Sequence, residues 1–157
     1  MLNFNLIVVT TDLSDYSLRA LPYAVGLAER FDSKLKVLYV NEPNIPIADA
    51  AWAGFDVRAT DHTMMDEARK AVDRIIREKI PAGVTADATI LTGNAVDAIV
   101  DFARDQNADL LVMCTHGRTG LSHVLMGSTA EAIVRRAPCP VLTLRQPMPV
   151  AATQRGA

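Results

Sequence analysis

Asn5-Leu6-Ile7-Val8-Val9-Thr10-Thr11-Asp12-Leu13-Ser14 is a short, β-branched, nearly unbroken apolar run that ends in a polar turn. A strand covered on one face alternates apolar and polar residues; one covered on both faces reads as continuous apolar sequence. Asn5–Thr11 is therefore read as a strand buried on both faces, with Asp12 and Leu13 turning out of it and Ser14 as the N-cap of the next helix. From Asp15 to Arg30 the apolar positions Leu18, Leu21, Val25 and Ala28 recur at three- and four-residue steps, the period of a helix with one apolar face. Pro22 lies inside that run and either kinks the helix or moves its effective start.

The same alternation continues along the chain. Leu35–Val40 is a second strand. Asn41 to Asp61 holds Pro43, Pro46 and Gly54, shows no clean period, and is long for a connection in a compact domain, where such stretches often serve as lids or binding loops. Thr63–Lys79 reads as a helix with Met65, Ala68, Val72, Ile75 and Ile76 on one face, stopped by Pro81 and Gly83. Val84–Leu91 is a strand, Gly93-Asn94 a turn, and Ala95–Asp105 a helix. Asp109–Met113 is another buried strand, and a glycine-bearing loop from Cys114 to Gly127 leads to a helix at Thr129–Arg136. Pro140–Arg145 is the last strand. Residues 1–146 are expected to form one domain and 147–157 a flexible tail.

Strands alternating with helices imply an α/β fold: a parallel sheet with helices on both faces and right-handed crossovers. In such sheets ligands sit outside the carboxyl ends of the strands. The residues to watch are Thr10-Thr11-Asp12, Val40-Asn41, Leu91-Thr92-Gly93 and Met113 to Gly117.

Composition narrows the function. At 157 residues the chain fits one domain. Its 16 basic and 18 acidic side chains leave a net charge of −2, which argues against a generic nucleic-acid binder. No run approaches 18 apolar residues, so no membrane span is expected, and the amino terminus lacks the basic region of a secretory signal. The expected location is the cytoplasm. Cys114 and Cys139 are too few for a disulfide framework and match no zinc spacing, so both are expected to be reduced.

The segment Met113-Cys114-Thr115-His116-Gly117-Arg118 through Gly127-Ser128-Thr129-Ala130-Glu131 carries the chemistry. Gly117 and Gly127 let the backbone approach a ligand closely. A helix start just after Gly127 offers unsatisfied N–H donors and about half a positive charge to an anion. Ser128 adds a hydroxyl, Arg118 a formal charge, and His116 a second polar group beside Gly117. This combination suits phosphate. The same residues also allow a purely structural reading, because Ser128 and Glu131 have the S-x-x-E spacing of a capping box, a device worth on the order of 1 kcal/mol.

The loop resembles the Gly-x2-Gly-x9-Gly-Ser/Thr signature of the ATP-binding branch of the universal stress protein family. Gly117, Gly127 and Ser128 fall at the second glycine, the third glycine and the serine, while Cys114 occupies the first glycine position. Val9-Thr10-Thr11-Asp12-Leu13-Ser14, the Tyr39-Val40 strand end and Ala137-Pro138-Cys139-Pro140-Val141-Leu142 are also family-like, so the likeness covers nearly the whole chain. The resemblance implies a three-layer α/β/α fold of the adenine nucleotide alpha hydrolase-like kind, with a five-stranded parallel sheet in the order 3-2-1-4-5. It also implies a homodimer paired through the last strand, Val141–Arg145, and ATP, with or without Mg²⁺, as cofactor. Carried over position by position, Asp12 would contact the ribose, and Thr10 and Thr11 would lie at the nucleoside pocket. Val40 would present its backbone to adenine, Gly117, Gly127, Ser128 and Thr129 would hold ribose and phosphates, and Met113 and Cys114 would line the pocket floor. At Cys114, an ordinary φ would aim the thiol into the pocket, whereas a positive φ would store roughly 1–3 kcal/mol of strain.

Neither a Walker-type phosphate loop nor Gly-x-Gly-x-x-Gly follows the first strand, and no metalloprotease-like spacing links His62, His116 and His123. No nucleophile–base pair stands out. The leading expectation is an ATP-binding regulatory homodimer in stress response, with at most slow hydrolysis and an unidentified protein partner. A slow Mg²⁺-dependent ATPase or phosphotransferase, and a dimerising module that binds no nucleotide, are the alternatives.

Overall fold

The computed structural model describes residues 3–42, 57–115 and 126–145. Five strands, β1 (Leu6–Thr11), β2 (Lys34–Asn41), β3 (Ala86–Thr92), β4 (Leu110–Cys114) and β5 (Val141–Leu144), form one sheet in the order β3-β2-β1-β4-β5. All neighbouring pairs are parallel, and Val9 sits between Val37 of β2 and Val112 of β4. Among the described residues four α-helices lie between them: α1 (Leu21–Phe31), α2 (Val57–Lys79), α3 (Ala95–Asp105) and α4 (Ser128–Arg136).

The period of two along each strand divides the core. Ile7, Val9, Leu35, Val37 and Val112 pack against Leu21, Ala24, Val25 and Ala28 of α1 and Val72 and Ile75 of α2. Val8, Leu38, Leu111 and Met113 pack on the other face against Ile99 and Ala103 of α3 and Ala130 and Ile133 of α4. Both faces are covered, which is why Leu6–Val9 of β1 and all of β4 carry no polar residue.

Two boundaries differ by more than two residues from the sequence reading. Asp15–Arg30 is not one helix: Ser17–Ala20 forms a 3₁₀ turn, and α1 begins at Leu21 with Pro22 in its first turn. Proline lacks the N–H that an inner helical turn would need, so the helix starts where that donor is dispensable. Ser14 is not the N-cap of either element: Tyr16 precedes the 3₁₀ turn and Ala20 precedes α1, while Ser14 Oγ accepts from the Ser17 N–H at 3.1 Å. The second helix begins at Val57 rather than Thr63. Arg58, Thr60, Asp61 and His62 interrupt any apolar period there, so the first turns carry no hydrophobic signal. The proline-bearing part of the Asn41–Asp61 stretch and the tail from Gln146 lie outside the described residues.

Candidate functional site

Strand alternation sorts the carboxyl-terminal ends of β1, β2 and β4 onto two sides. Thr10, Val40 and Met113 follow Val8, Leu38 and Leu111 and so face the α3/α4 layer, with Met126 packed nearby. Thr11 and Cys114 face the α1 layer. Met113 and Cys114 thus do not form one floor: their side chains leave β4 in opposite directions.

The start of α4 closes the α3/α4 side. Gly127 is its N-cap, extended at φ −68° and ψ 152°, and its N–H donates to the Thr115 carbonyl at 2.8 Å. A Cβ at Gly127 would stand 2.9 Å from that same oxygen, so only glycine fits without displacing the end of β4. The capping-box reading of Ser128 and Glu131 fails. Ser128 is already the first helical residue, no side chain among the described residues caps this helix start, and the Glu131 carboxylate accepts from Arg135 at 2.9 Å. At α3, by contrast, the Asn94 side chain accepts from the Asp97 N–H, and the Glu42 carboxylate accepts from the Ala95 N–H at 2.8 Å. Of the two helices on this face, α3 is doubly capped and α4 has no side-chain cap among the described residues. An uncapped first turn presents donors and positive potential to an anion.

Asp12 is half-buried on the loop after β1, with Oδ1 accepting from both the backbone N–H (3.0 Å) and the hydroxyl of Ser14. The Thr11 hydroxyl is committed to the fold instead. It lies 2.8 Å from Ser17 Oγ and accepts from the Leu13 N–H at 3.0 Å, bracing a loop in which Leu13 takes a positive φ of 66°.

A parallel sheet with a glycine-capped helix start against its central strands is a widely shared frame, and family comparison is more specific. The model of the universal stress protein family matches residues 3–145. The chain belongs to the universal stress protein family. A relative at 34% identity over 144 residues is Universal stress protein MJ0531 of Methanocaldococcus jannaschii, covering 90% of this chain and 82% of the relative. Among solved structures, protein MJ0577 superposes with a TM-score of 0.79 at 22% identity, covering 92% of this chain and 98% of its own. That likeness is one of fold. A universal stress protein solved in complex with cAMP gives a TM-score of 0.60 at 26% identity, covering 92% of this chain and 98% of the other.

In this universal stress protein the cysteine at the first motif position is accommodated without strain. Positive φ occurs at Leu13, Asp32 and Asn107 among described non-glycine residues, and Cys114 is not one of them. Its thiol does not enter the α3/α4 side either. It is buried and donates to the carbonyls of Tyr16 (3.2 Å) and Ser17 (3.7 Å). Both thiols are free, and Cys139 lies before β5 while Cys114 ends β4.

Burial raises the Cys114 thiol above its ordinary range, only partly offset by a backbone hydrogen bond with Ala20 and by the Arg19 charge. A raised pKa favours the neutral thiol in the fold, so its contribution is complete below the ordinary thiol value of the unfolded chain and is lost as pH rises through the folded value. Melting temperature should therefore fall between pH 7 and pH 10 more steeply in the unaltered protein than in Cys114→Ala. Parallel curves for the two would contradict this assignment.

Other candidates fall away from the site or outside the described residues. His62 is exposed on α2, as are Asp66 and Glu67, while Asp73 is half-exposed. His116, Gly117, Arg118 and His123 lie outside the described residues. No group of three or more potential metal-binding side chains occurs among the described residues. Two surface depressions, of about 370 and 620 Å³, lie at the opposite, amino-terminal edge of the sheet around Lys34.

Sequence reasoning missed Glu42 and Ser17, and gave Thr115, within the stretch Met113 to Gly117, no role of its own. Glu42 caps a helix 53 positions away, which no local pattern encodes. Ser17 looked like an ordinary helical residue, and Thr115 like loop, although it is 2% exposed.

Proposed function

We propose that this universal stress protein binds ATP at the carboxyl ends of β1, β2 and β4 and acts as a homodimeric regulatory module in the cytoplasm. The observation that carries this reading is the start of α4, capped by no side chain among the described residues and fitted by Gly127 against Thr115 beside the face of Thr10, Val40 and Met113. Family membership and the relative solved with cAMP support an adenine nucleotide as the ligand class.

The residues fit the group. The N–H groups of Ser128 and Thr129 would hold phosphate, with the Ser128 hydroxyl beside them. The Val40 backbone would meet adenine and the Asp12 carboxylate the ribose. Gly117, His116 and Arg118 complete the proposed phosphate side by their place in the motif. The ATP phosphates would bring negative charge to the N–H donors of the α4 start, where the acidic Glu131 of the first turn is paired with Arg135. Mg²⁺ would arrive on the phosphates, since it commonly keeps several waters and needs few carboxylates.

The dimer reading is supported by β5, an edge strand whose four residues are all half-buried. An edge strand leaves backbone donors and acceptors unpaired and invites pairing. No helix among the described residues is long and apolar enough to cross a membrane.

Hydrolysis should be slow, because the sequence singles out no nucleophile–base pair and the Glu131 carboxylate in the first turn of α4 is held by Arg135. A turnover assay with Mg²⁺ and ATP is expected to stay far below the roughly 1–100 s⁻¹ of kinases. Turnover in that range, lost in Asp12→Ala, would overturn the regulatory reading in favour of an enzyme.

A further inference from the structure

A chain of hydrogen bonds runs from β1 to the Asp12 carboxylate through two serines. The Thr11 hydroxyl on β1 meets Ser17 Oγ at 2.8 Å. Ser17 Oγ also accepts from the Asp12 backbone N–H (3.2 Å) and can donate to the Ser14 carbonyl (2.9 Å). The Ser17 N–H donates to Ser14 Oγ at 3.1 Å, and Ser14 then holds Asp12 Oδ1 through both its N–H and its hydroxyl. Asp12 is thus fixed at its backbone by Ser17 and at its side chain by Ser14. Thr11 and Ser17 are buried, so the relay is anchored in the core rather than in solvent.

We propose that Ser14 is a positioning and specificity-determining residue, orienting the Asp12 carboxylate so that the site distinguishes ribose from deoxyribose. This rests on the nucleotide reading above. A carboxylate on an exposed loop samples several rotamers, and ordering it on binding weakens the complex. With Oδ1 held by two donors the carboxylate plane is set before the sugar arrives. A site built to hydrogen-bond a hydroxyl discriminates strongly against an analogue lacking it, because its polar group loses the partner. That discrimination depends on the group being held in place.

The test is calorimetric titration of nucleotide-stripped protein with ATP, 2′-deoxy-ATP and 3′-deoxy-ATP, for the unaltered chain, Ser14→Ala and Ser14→Thr. The unaltered chain is expected to prefer ATP over at least one deoxy analogue by about tenfold or more. In Ser14→Ala, ATP affinity should fall about tenfold while that for the analogue hardly changes, so the preference collapses. Ser14→Thr retains the hydroxyl and should restore the preference. Equal weakening of all three nucleotides in Ser14→Ala would make Ser14 a turn residue only and overturn the inference. Equal affinity for all three in the unaltered chain would also overturn it while leaving the nucleotide site standing. No binding of any of them would overturn the proposed function and this inference together.

Discussion

Gly127→Ala is expected to weaken ATP binding by at least about tenfold and to destabilise the fold by about 1–3 kcal/mol. Gly127 has φ −68°, a conformation open to any residue, so the penalty is not conformational. It is steric: the new Cβ meets the Thr115 carbonyl at 2.9 Å. That oxygen cannot swing aside like the tip of a long side chain. Thr115 is buried, and its N–H donates to the Leu144 carbonyl at 2.9 Å, so moving it disturbs the end of the β4–β5 ladder. The alternative is that Gly127 withdraws, losing its 2.8 Å hydrogen bond and carrying the first turn of α4 away from the strand ends. Either response spoils the proposed phosphate seat. Gly26→Ala is the control, since a Cβ at that exposed helical position meets nothing within 4 Å and alanine is the better helix former. Thermal melts and ATP titration of both variants check this. A Gly127→Ala protein with unaltered melting temperature and affinity would show that the close approach is not needed.

Ile133→Ala is expected to have the larger effect on stability, about 2–5 kcal/mol. Ile133 is fully buried, and it fastens α4 to Val8, Leu111 and Met113 together with Ala130. Removing its outer carbons leaves a cavity between helix and sheet that a close-packed core fills only in part. For a domain of this size the melting temperature should drop by roughly 10 °C. The adjacent Val134 is 43% exposed, and Val134→Ala should stay within about 0.5 kcal/mol. Chemical denaturation of the two variants separates the cases; equal losses would mean that α4 does not pack on the sheet through Ile133.

The architecture was largely legible because its signals are local. The apolar runs at Leu6–Val9 and Leu110–Met113 announce doubly covered strands, and the glycine and asparagine before Ala95 mark the start of α3. In the structure Gly93 takes φ +138° and Asn94 accepts from the Asp97 N–H. The strand order was implied by family likeness, not by periodicity, since pairing partners leave little trace in a single sequence. What stayed hidden is non-local. Ser128 and Glu131 carry the spacing of a cap, yet the helix starts one residue earlier than that device requires, and Glu131 finds Arg135 on its own helix. Which face receives the Cys114 thiol depends on register at β4 and on the 3₁₀ turn at Ser17–Ala20, a turn that the helical period around Leu18 and Leu21 concealed.

The most direct measurement is calorimetric titration of nucleotide-stripped protein with ATP, with and without Mg²⁺, with AMP and GTP alongside. Saturable binding of ATP in the micromolar range, tighter than AMP or GTP, is the expected result. No heat and no thermal protection up to millimolar ATP would contradict it, leaving the α4 start as a structural turn and directing attention to protein partners.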